Sequence, residues 1–301
     1  QPAEEGPPPG EEGGAALMLK EGAFDAPVPE VVFGLHIGSM LNAGQIGYRP
    51  GATLAAADVL KIVVKGKQTH GSAPWGGVDP IVVASQIVLG LQTIVSREIS
   101  PFDQAVLTIG TIHGGTKRNI IPEEVKLELN LRAYREEVRQ HMIQAIARIS
   151  RASALDAGMP EDRLPIIREI DTDFAPVLYN DPALTERLTG VFQRVLGLEQ
   201  VLAVPPMMGS EDFPRYGIEA KVPSMMFRVG MVDPAKFAAA QRSGERLPSA
   251  HSPYFAPVPE PTLRTGVIAM TAAALDLLRP DASSAAPSVC RTGACQPGGS
   301  S

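Results

Sequence analysis

Three places in this 301-residue chain put ligating or proton-transferring side chains where they could do chemistry. The first is Gln1-Pro2-Ala3-Glu4-Glu5-Gly6, where adjacent carboxylates open a Pro- and Gly-rich stretch. Neighbouring side chains in an extended segment point in different directions. One carboxylate can therefore hold a cation while the other takes a proton from water. A solvated acidic turn has the same wording, and for Glu-Glu alone it is the simpler reading. The second place is Phe33-Gly34-Leu35-His36, a histidine ending an apolar strand. The third is Ala250-His251-Ser252-Pro253-Tyr254-Phe255, a loop before the last helix. Each histidine alone reads more simply as a hydrogen-bonded structural residue. Together, Glu5, His36 and His251 make a His₂Glu set, a donor combination of catalytic zinc sites. Spacing does not show that they converge; only a fold can bring them together.

The elements that must position them are clearest in the middle of the chain. Residues 58–66 have the β-branched enrichment of a strand. Asp79-Pro80 is an N-cap followed by proline in the first helical turn, and Ile81, Ala84, Ile87, Val88, Leu91, Ile94 and Val95 then recur at helical spacing. Residues 104–112 and 125–133 read as strands. In the second of these, Val125, Leu127, Leu129 and Leu131 alternate with Lys126, Glu128, Asn130 and Arg132, so one face is buried and the face bearing Arg132 reads as wet. An amphipathic helix carrying Val138, Met142, Ala145, Ile146, Ile149 and Ala152 follows, then a short strand at 164–170. The order βαββαβ is the split pattern of a ferredoxin-like sandwich, spanning about 58–172.

The flanks alternate differently. A helix at 11–21 and strands at 31–36 and 45–49 precede the sandwich. A helix at 182–196, strands at 201–204 and 224–229, and a helix at 262–278 follow it. These predict one α/β layered domain in two parts, 1–57 and 173–279, with the sandwich inserted. The Ser-, Ala-, Gly- and Pro-rich residues 280–301 predict a disordered tail. Its Cys290 and Cys295 suit a local disulfide or no role at all, which leaves the compartment open. A net charge of −6 argues against a nucleic-acid or anionic-membrane partner, since both need a basic face. No apolar run reaches the roughly 18 uninterrupted residues of a membrane span.

Six ordered segments then carry a resemblance: residues 1–6, 33–37, 66–79, 114–122, 209–213 and 251–255. They resemble successive motifs of the aminoacylase and hippurate-hydrolase amidohydrolases, of the metallopeptidase superfamily that includes the glutamate carboxypeptidases. The likeness implies a zinc-peptidase-like α/β catalytic domain with an inserted dimerisation lid, in agreement with the βαββαβ unit. It also implies roles. Glu4 matches the general base, and Glu5, His36 and His251 match ligands of a two-metal centre. His70, in Thr69-His70-Gly71-Ser72-Ala73-Pro74, matches a lid histidine that stabilises the oxyanion. Asn119 and Arg132 match residues holding the substrate's carbonyl and carboxylate, a task that suits the planar fork of arginine. Glu211, in Gly209-Ser210-Glu211-Asp212-Phe213, matches a loop lining the substrate pocket. His113 and His141 match no role and read as structural.

The chain departs from the family's pattern in one respect. Relatives carry an earlier Cys-Gly-His-Asp segment with two further metal ligands, and that wording occurs nowhere here. The sequence therefore reads as N-terminally incomplete, lacking part of its metal site and inactive by itself. The resemblance implies two divalent ions, zinc or manganese, with cobalt and nickel also suited to mixed carboxylate and imidazole donors. It further implies a homodimer formed through the lid and hydrolysis of N-acyl amino acids. A dipeptidase or carboxypeptidase of the same superfamily, and a non-catalytic dimerisation or binding remnant, are the alternatives.

Overall fold

The computed structural model describes residues 13–170, 174–248 and 252–279. Glu4, Glu5, His251, both cysteines and the tail therefore lie outside the described residues. The chain begins with α1 (Gly14–Lys20), β1 (Val32–Asn42), β2 (Ile46–Tyr48), β3 (Gly51–Leu54) and β4 (Ala56–Lys65). It continues through β5 (Thr69–His70), α2 (Pro80–Thr93), β6 (Ala105–Gly114), β7 (Ile120–Ile121), β8 (Glu124–Ala133), α3 (Glu136–Asp156) and β9 (Ile166–Glu169). It closes with β10 (Leu178–Asn180), α4 (Pro182–Leu196), β11 (Val201–Ala203), α5 (Pro214–Ala220), β12 (Ser224–Val232), α6 (Pro234–Ser243) and α7 (Pro259–Leu277).

Strands β6-β8-β4-β9 form one antiparallel sheet in that order. Helices α2 and α3 cover one face of it, which is the ferredoxin-like arrangement of a βαββαβ unit. Val125, Leu127, Leu129 and Leu131 of β8 are buried with Leu60, Ile62 and Val64 of β4 under Val83, Ile87 and Leu91 of α2 and Met142 and Ile146 of α3. A one-residue slip of β8 would turn those four side chains to solvent, a loss on the order of 10 kcal/mol, so the alternation fixes the register. Asp79 caps α2 by accepting from Ile81 N at 2.9 Å, and the helix ends in a π turn over Ile94–Glu98. By length and composition, the stretch Pro80–Glu98 could cross a bilayer. Here it packs Val83, Ala84, Ile87, Leu91 and Ile94 onto the sheet as a core helix.

The second sheet runs β1-β12-β2-β11. β1 is parallel to β12, β12 is antiparallel to β2, and β2 is parallel to β11. Helices α4 and α7 cover one face, where Leu184, Leu188, Val191, Phe192, Ala269 and Ala273 meet Ile46, Met225, Phe227 and Val229. Helices α1 and α5 cover the other, through Ala15, Phe213, Tyr216 and Met226. Asp181 caps α4 as Asp79 caps α2, accepting from Leu184 N at 2.8 Å.

Chain passes between the two layers at one crossing. Ala57 N donates to Ala175 O at 2.9 Å and Ala175 N donates back to Ala57 O at 3.0 Å. Beside this crossing the Arg139 guanidinium lies 4.6 Å from the centre of the Phe174 ring and that of Arg215 lies 5.9 Å from it. Arg139, on α3, also forks onto the buried carboxylate of Asp58, with Nε 2.8 Å from Oδ2 and Nη2 2.5 Å from Oδ1. Those bonds hold the arginine proton well above its ordinary affinity.

Several local expectations need correction. His36 does not end a strand: β1 continues to Asn42, because Ile37 and Gly38 pair with Val229 and Gly230. The first described helix is shorter than residues 11–21, covering Gly14–Lys20. α7 begins at Pro259, where proline suits the first turn. Helices α5 and α6 and the antiparallel ribbon β3–β10 were not expected from the sequence.

Candidate active site

On β1 and β12 the side chains alternate between the two faces. Phe33 and Ile37 with Met225, Phe227 and Val229 point toward α4 and α7. Gly34, His36 and Gly38 with Met226, Arg228 and Gly230 take the opposite face. His36 pairs in register with Arg228, so the two side chains leave the same face of neighbouring strands. His36 Nδ1 lies 2.6 Å from Ile37 O. A proton on Nδ1 satisfies that contact and leaves the Nε2 lone pair for a cation, the tautomer that ligating histidines use. The Arg228 side chain runs past Gly38: a Cβ there would be in ordinary contact with Arg228 Cδ at 3.8 Å and Nη1 at 3.9 Å.

One loop, residues 209–213, joins this face to everything around it. Gly209 O accepts from Ala55 N at 3.0 Å. Ser210 Oγ accepts from Arg132 Nη1 at 2.6 Å, a bond from β8 of the sandwich to the larger layer. Glu211 is buried, and its Oε1 accepts from Phe213 N at 3.3 Å. Its charge raises the proton affinity of Arg228 against the lowering caused by burial. Asp212 Oδ2 accepts from Ala15 N, the second residue of α1, at 2.5 Å, where the helix's free N–H groups favour an anion. The Phe213 ring fills the space over Gly34, whose added Cβ would come within 2.9 Å of Cε2. Tyr216 on α5 is raised by burial and by the charges of Asp212 and Glu211.

Sequence-predicted residues on the sandwich fall into two groups. Arg132 is half-buried rather than wet: its Nε donates to Asn130 Oδ1 at 2.7 Å, and Ser210 takes the second bond. Burial lowers its proton affinity. His70 and Asn119 are brought together by the short β5–β7 ladder, in which His70 pairs with Ile120. Gly71 N donates to Asn119 O at 2.8 Å. Ser72 N donates to His70 Nδ1 at 3.1 Å, so the neutral ring carries its proton on Nε2, which stands exposed as a donor. No hydrogen bond or salt bridge among the described residues joins His70 or Asn119 to His36 or Arg132.

Two of the expected ligands and the expected base fall outside the described residues, so only His36 can be tested for metal binding, and its tautomer fits. Among the described residues no group of three or more His, Cys, Asp or Glu is arranged to hold an ion. Sequence reasoning missed Arg228 and the anchoring of Asp212. Arg228 did carry a signal, as the one charge in the apolar strand Ser224–Val232.

Comparison with known proteins agrees with this fold. Residues 57–157 match the M20 peptidase dimerisation domain. The chain is 33% identical over 255 residues to IAA-amino acid hydrolase ILR1-like 4 of Arabidopsis thaliana, covering 85% of this chain and 54% of that protein. It is 34% identical over 220 residues to N-acetyl-L-cysteine deacetylase of Bacillus subtilis, covering 72% of this chain and 48% of that one. The chain thus spans about half the length of these curated relatives. Among solved structures, an aminohydrolase from methicillin-resistant Staphylococcus aureus superposes with a TM-score of 0.76 at 31% identity, over 93% of this chain and 66% of that one. A dinuclear metal-binding M20 peptidase from Bacillus subtilis gives 0.66 at 25% identity, over 87% and 61%. With its two layers and its sandwich both matched, this chain belongs to the M20 family of peptidases and amidohydrolases.

Proposed function

We propose that the complete protein hydrolyses the amide bond of N-acyl amino acids with the help of two divalent ions, zinc or manganese being the leading candidates. The observation that carries this reading is the bond between Arg132 and Ser210. It ties the side chain we assign to the substrate's carboxylate to the loop whose next residue, Glu211, acts through its charge on Arg228, the register partner of His36. The names of the relatives, a hydrolase of an amino-acid conjugate and a deacetylase of an N-acetyl amino acid, point to the same substrate class.

Bound divalent ions would make a water acidic near neutral pH and polarise the scissile carbonyl. The remaining work falls to side chains. Glu5, His36 and His251 hold the ions. Glu4 takes the proton from the attacking water and returns it to the leaving amine. His70 donates from Nε2 to the oxygen that gains charge, and Asn119 holds the same carbonyl. Arg132 keeps its third nitrogen, Nη2, for the substrate carboxylate while Nε and Nη1 are held in place. We further infer a division into residues 1–57 and 173–279 as the catalytic layer and 58–172 as a lid, the reciprocal Ala57–Ala175 bonds marking its hinge. The lid forms the contact in a homodimer.

Glu4→Gln in the full-length protein tests the reading. The change keeps size and a hydrogen-bond acceptor but removes the base, so kcat should fall about 10²–10⁴-fold at unchanged metal content. A fall below tenfold, or faster turnover of peptides than of N-acetyl amino acids, overturns it.

A further inference from the structure

The guanidinium of Arg228 is the feature that the reaction above leaves unused. It rises from the middle of β12, flanked by Phe227 and Val229, which are buried on the opposite face. It lies over Gly38, in register with His36. An arginine has five N–H donors, and a partly buried one normally spends them on a carboxylate or on carbonyls. Arg139, another enclosed arginine, does so on Asp58. Among the described residues the Arg228 guanidinium donates no hydrogen bond and forms no salt bridge. Glu211 acts on it through its charge, while its Oε1 accepts from the loop N–H of Phe213. The guanidinium thus stands half-buried beside His36 with no hydrogen-bonded anion among the described residues. A structural role alone leaves such desolvated donors unexplained, since an apolar residue would fit a strand of methionines and phenylalanine at lower cost.

We propose that Arg228 binds a carboxylate on the acyl side of the substrate, so that the enzyme prefers N-acyl amino acids whose acyl chain ends in an acid, such as N-succinyl derivatives. This rests on the amidohydrolase reading, in which Arg132 already takes the carboxylate of the amino acid. A second cationic fork beside His36 then faces the group across the scissile amide. Planar bidentate pairing with a carboxylate fits the guanidinium, and one such charge-assisted contact is worth on the order of 10–100-fold in binding or kcat/KM.

The test uses full-length protein loaded with metal. Wild type, Arg228→Met and Arg228→Lys are compared on N-acetyl-alanine, N-succinyl-alanine and N-acetyl-glutamate. The wild type should favour N-succinyl-alanine over N-acetyl-alanine. Arg228→Met should lower that ratio of kcat/KM values about 10–100-fold, and Arg228→Lys, which keeps the charge but loses the fork, should recover part of it. Equal losses on all three substrates would make Arg228 a partner of Glu211 only, and overturn the proposal. A loss confined to N-acetyl-glutamate would put the anion on the amino-acid side, and also overturn it. If no substrate turns over, the reaction assigned above fails, and titration with succinate alone decides the anion site. Binding that Arg228→Met abolishes and Arg228→Lys weakens supports the site; equal binding, or none, sinks it.

Discussion

Asn180, at the end of β10, offers a sharp test of how the site's sheet is held. Its side chain is fully buried and makes three hydrogen bonds to backbone. Nδ2 donates to Arg49 O at 2.9 Å and to Met226 O at 3.0 Å, and Oδ1 accepts from Met226 N at 2.8 Å. One amide thus fixes β12 two residues before Arg228. Asn180→Asp keeps the shape but replaces the donor with an oxygen facing two carbonyls. Below pH 4 the new carboxyl is neutral and can donate one bond, so one carbonyl is orphaned, at a cost of about 1–2 kcal/mol. Burial raises its folded pKa above the unfolded value of about 3.9, commonly by about 3 units. Protonation is then favoured in the folded state. The variant's stability is highest below the unfolded pKa and falls as pH rises toward the folded one, by about 1.4 kcal/mol per pH unit.

Near pH 7 the total penalty should be about 5 kcal/mol, enough to unfold a marginal domain. Wild type has no titrating group at this position, so the difference between the two proteins isolates the effect. Urea unfolding at pH 4.5 and pH 7.5 measures it. A penalty that changes by less than about 1 kcal/mol between those pH values would show that the Asn180 pocket admits water, and refute the reasoning.

Other consequences follow from the same coordinates. Asp58→Asn strips the buried fork from Arg139, which among the described residues keeps Glu136 and Glu169 as ion-pair partners and the Phe174 ring; urea melts should show a loss of about 2–3 kcal/mol. Gly230→Ala would place a Cβ 1.9 Å from Asn42 O, a backbone atom that cannot swing aside, and should cost about 2–3 kcal/mol in the same assay. Gly34→Ala meets only the Phe213 ring, so it should cost about 1 kcal/mol while displacing loop 209–213, visible as a rise in KM larger than any fall in kcat. Glu98 is held below the usual carboxylate range, first by its hydrogen bond from Arg148. Its contribution is present above the unfolded pKa and lost as pH falls through the folded one. The stability gap between wild type and Glu98→Gln should therefore close on acidifying from pH 5 to pH 3.

Much of this fold was legible where one signal was both local and repeated. β8 announces itself because its neighbours in sequence alternate, and α2 and α4 because Asp-Pro starts each. Asp233-Pro234 carries the same signature, and Asp233 caps α6 through Ala235 N and Lys236 N. That helix escaped notice because only Ala240 of it is buried, which leaves no apolar stripe to read. The strands β3 and β10 are too short to alternate, and exist because they pair with each other across the crossing between layers. The site divides the same way. His36, His70, Asn119, Arg132 and Glu211 stand in recognisable wording, but nothing local says that Ser210 takes a bond from Arg132 or that Arg228 stands beside His36. Both depend on contacts between strands and loops far apart in the chain.

The pairing of β1 with β12 shows why the site lies where it does. Each strand spends one face on bulk, Phe33 and Ile37 against Met225, Phe227 and Val229, and that face is sealed by α4 and α7. Alternation then obliges the other face to carry whatever lies between. At Gly34, Gly38 and Gly230 it carries no side chain at all. The glycines let neighbouring groups come close: Phe213 lies over Gly34, the Asn42 carbonyl over Gly230, and the Arg228 side chain runs past Gly38. His36 and Arg228 therefore project from a face whose underside is the buried core beneath α4 and α7. Core and site are one residue apart on each strand. A slip of one residue in β12 would bury the arginine and expose Phe227, so the hydrophobic energy that folds the sheet also places the two polar groups side by side. The same coupling explains how His36 and Arg228 come to share one face: the register of two apolar strands has already set them there.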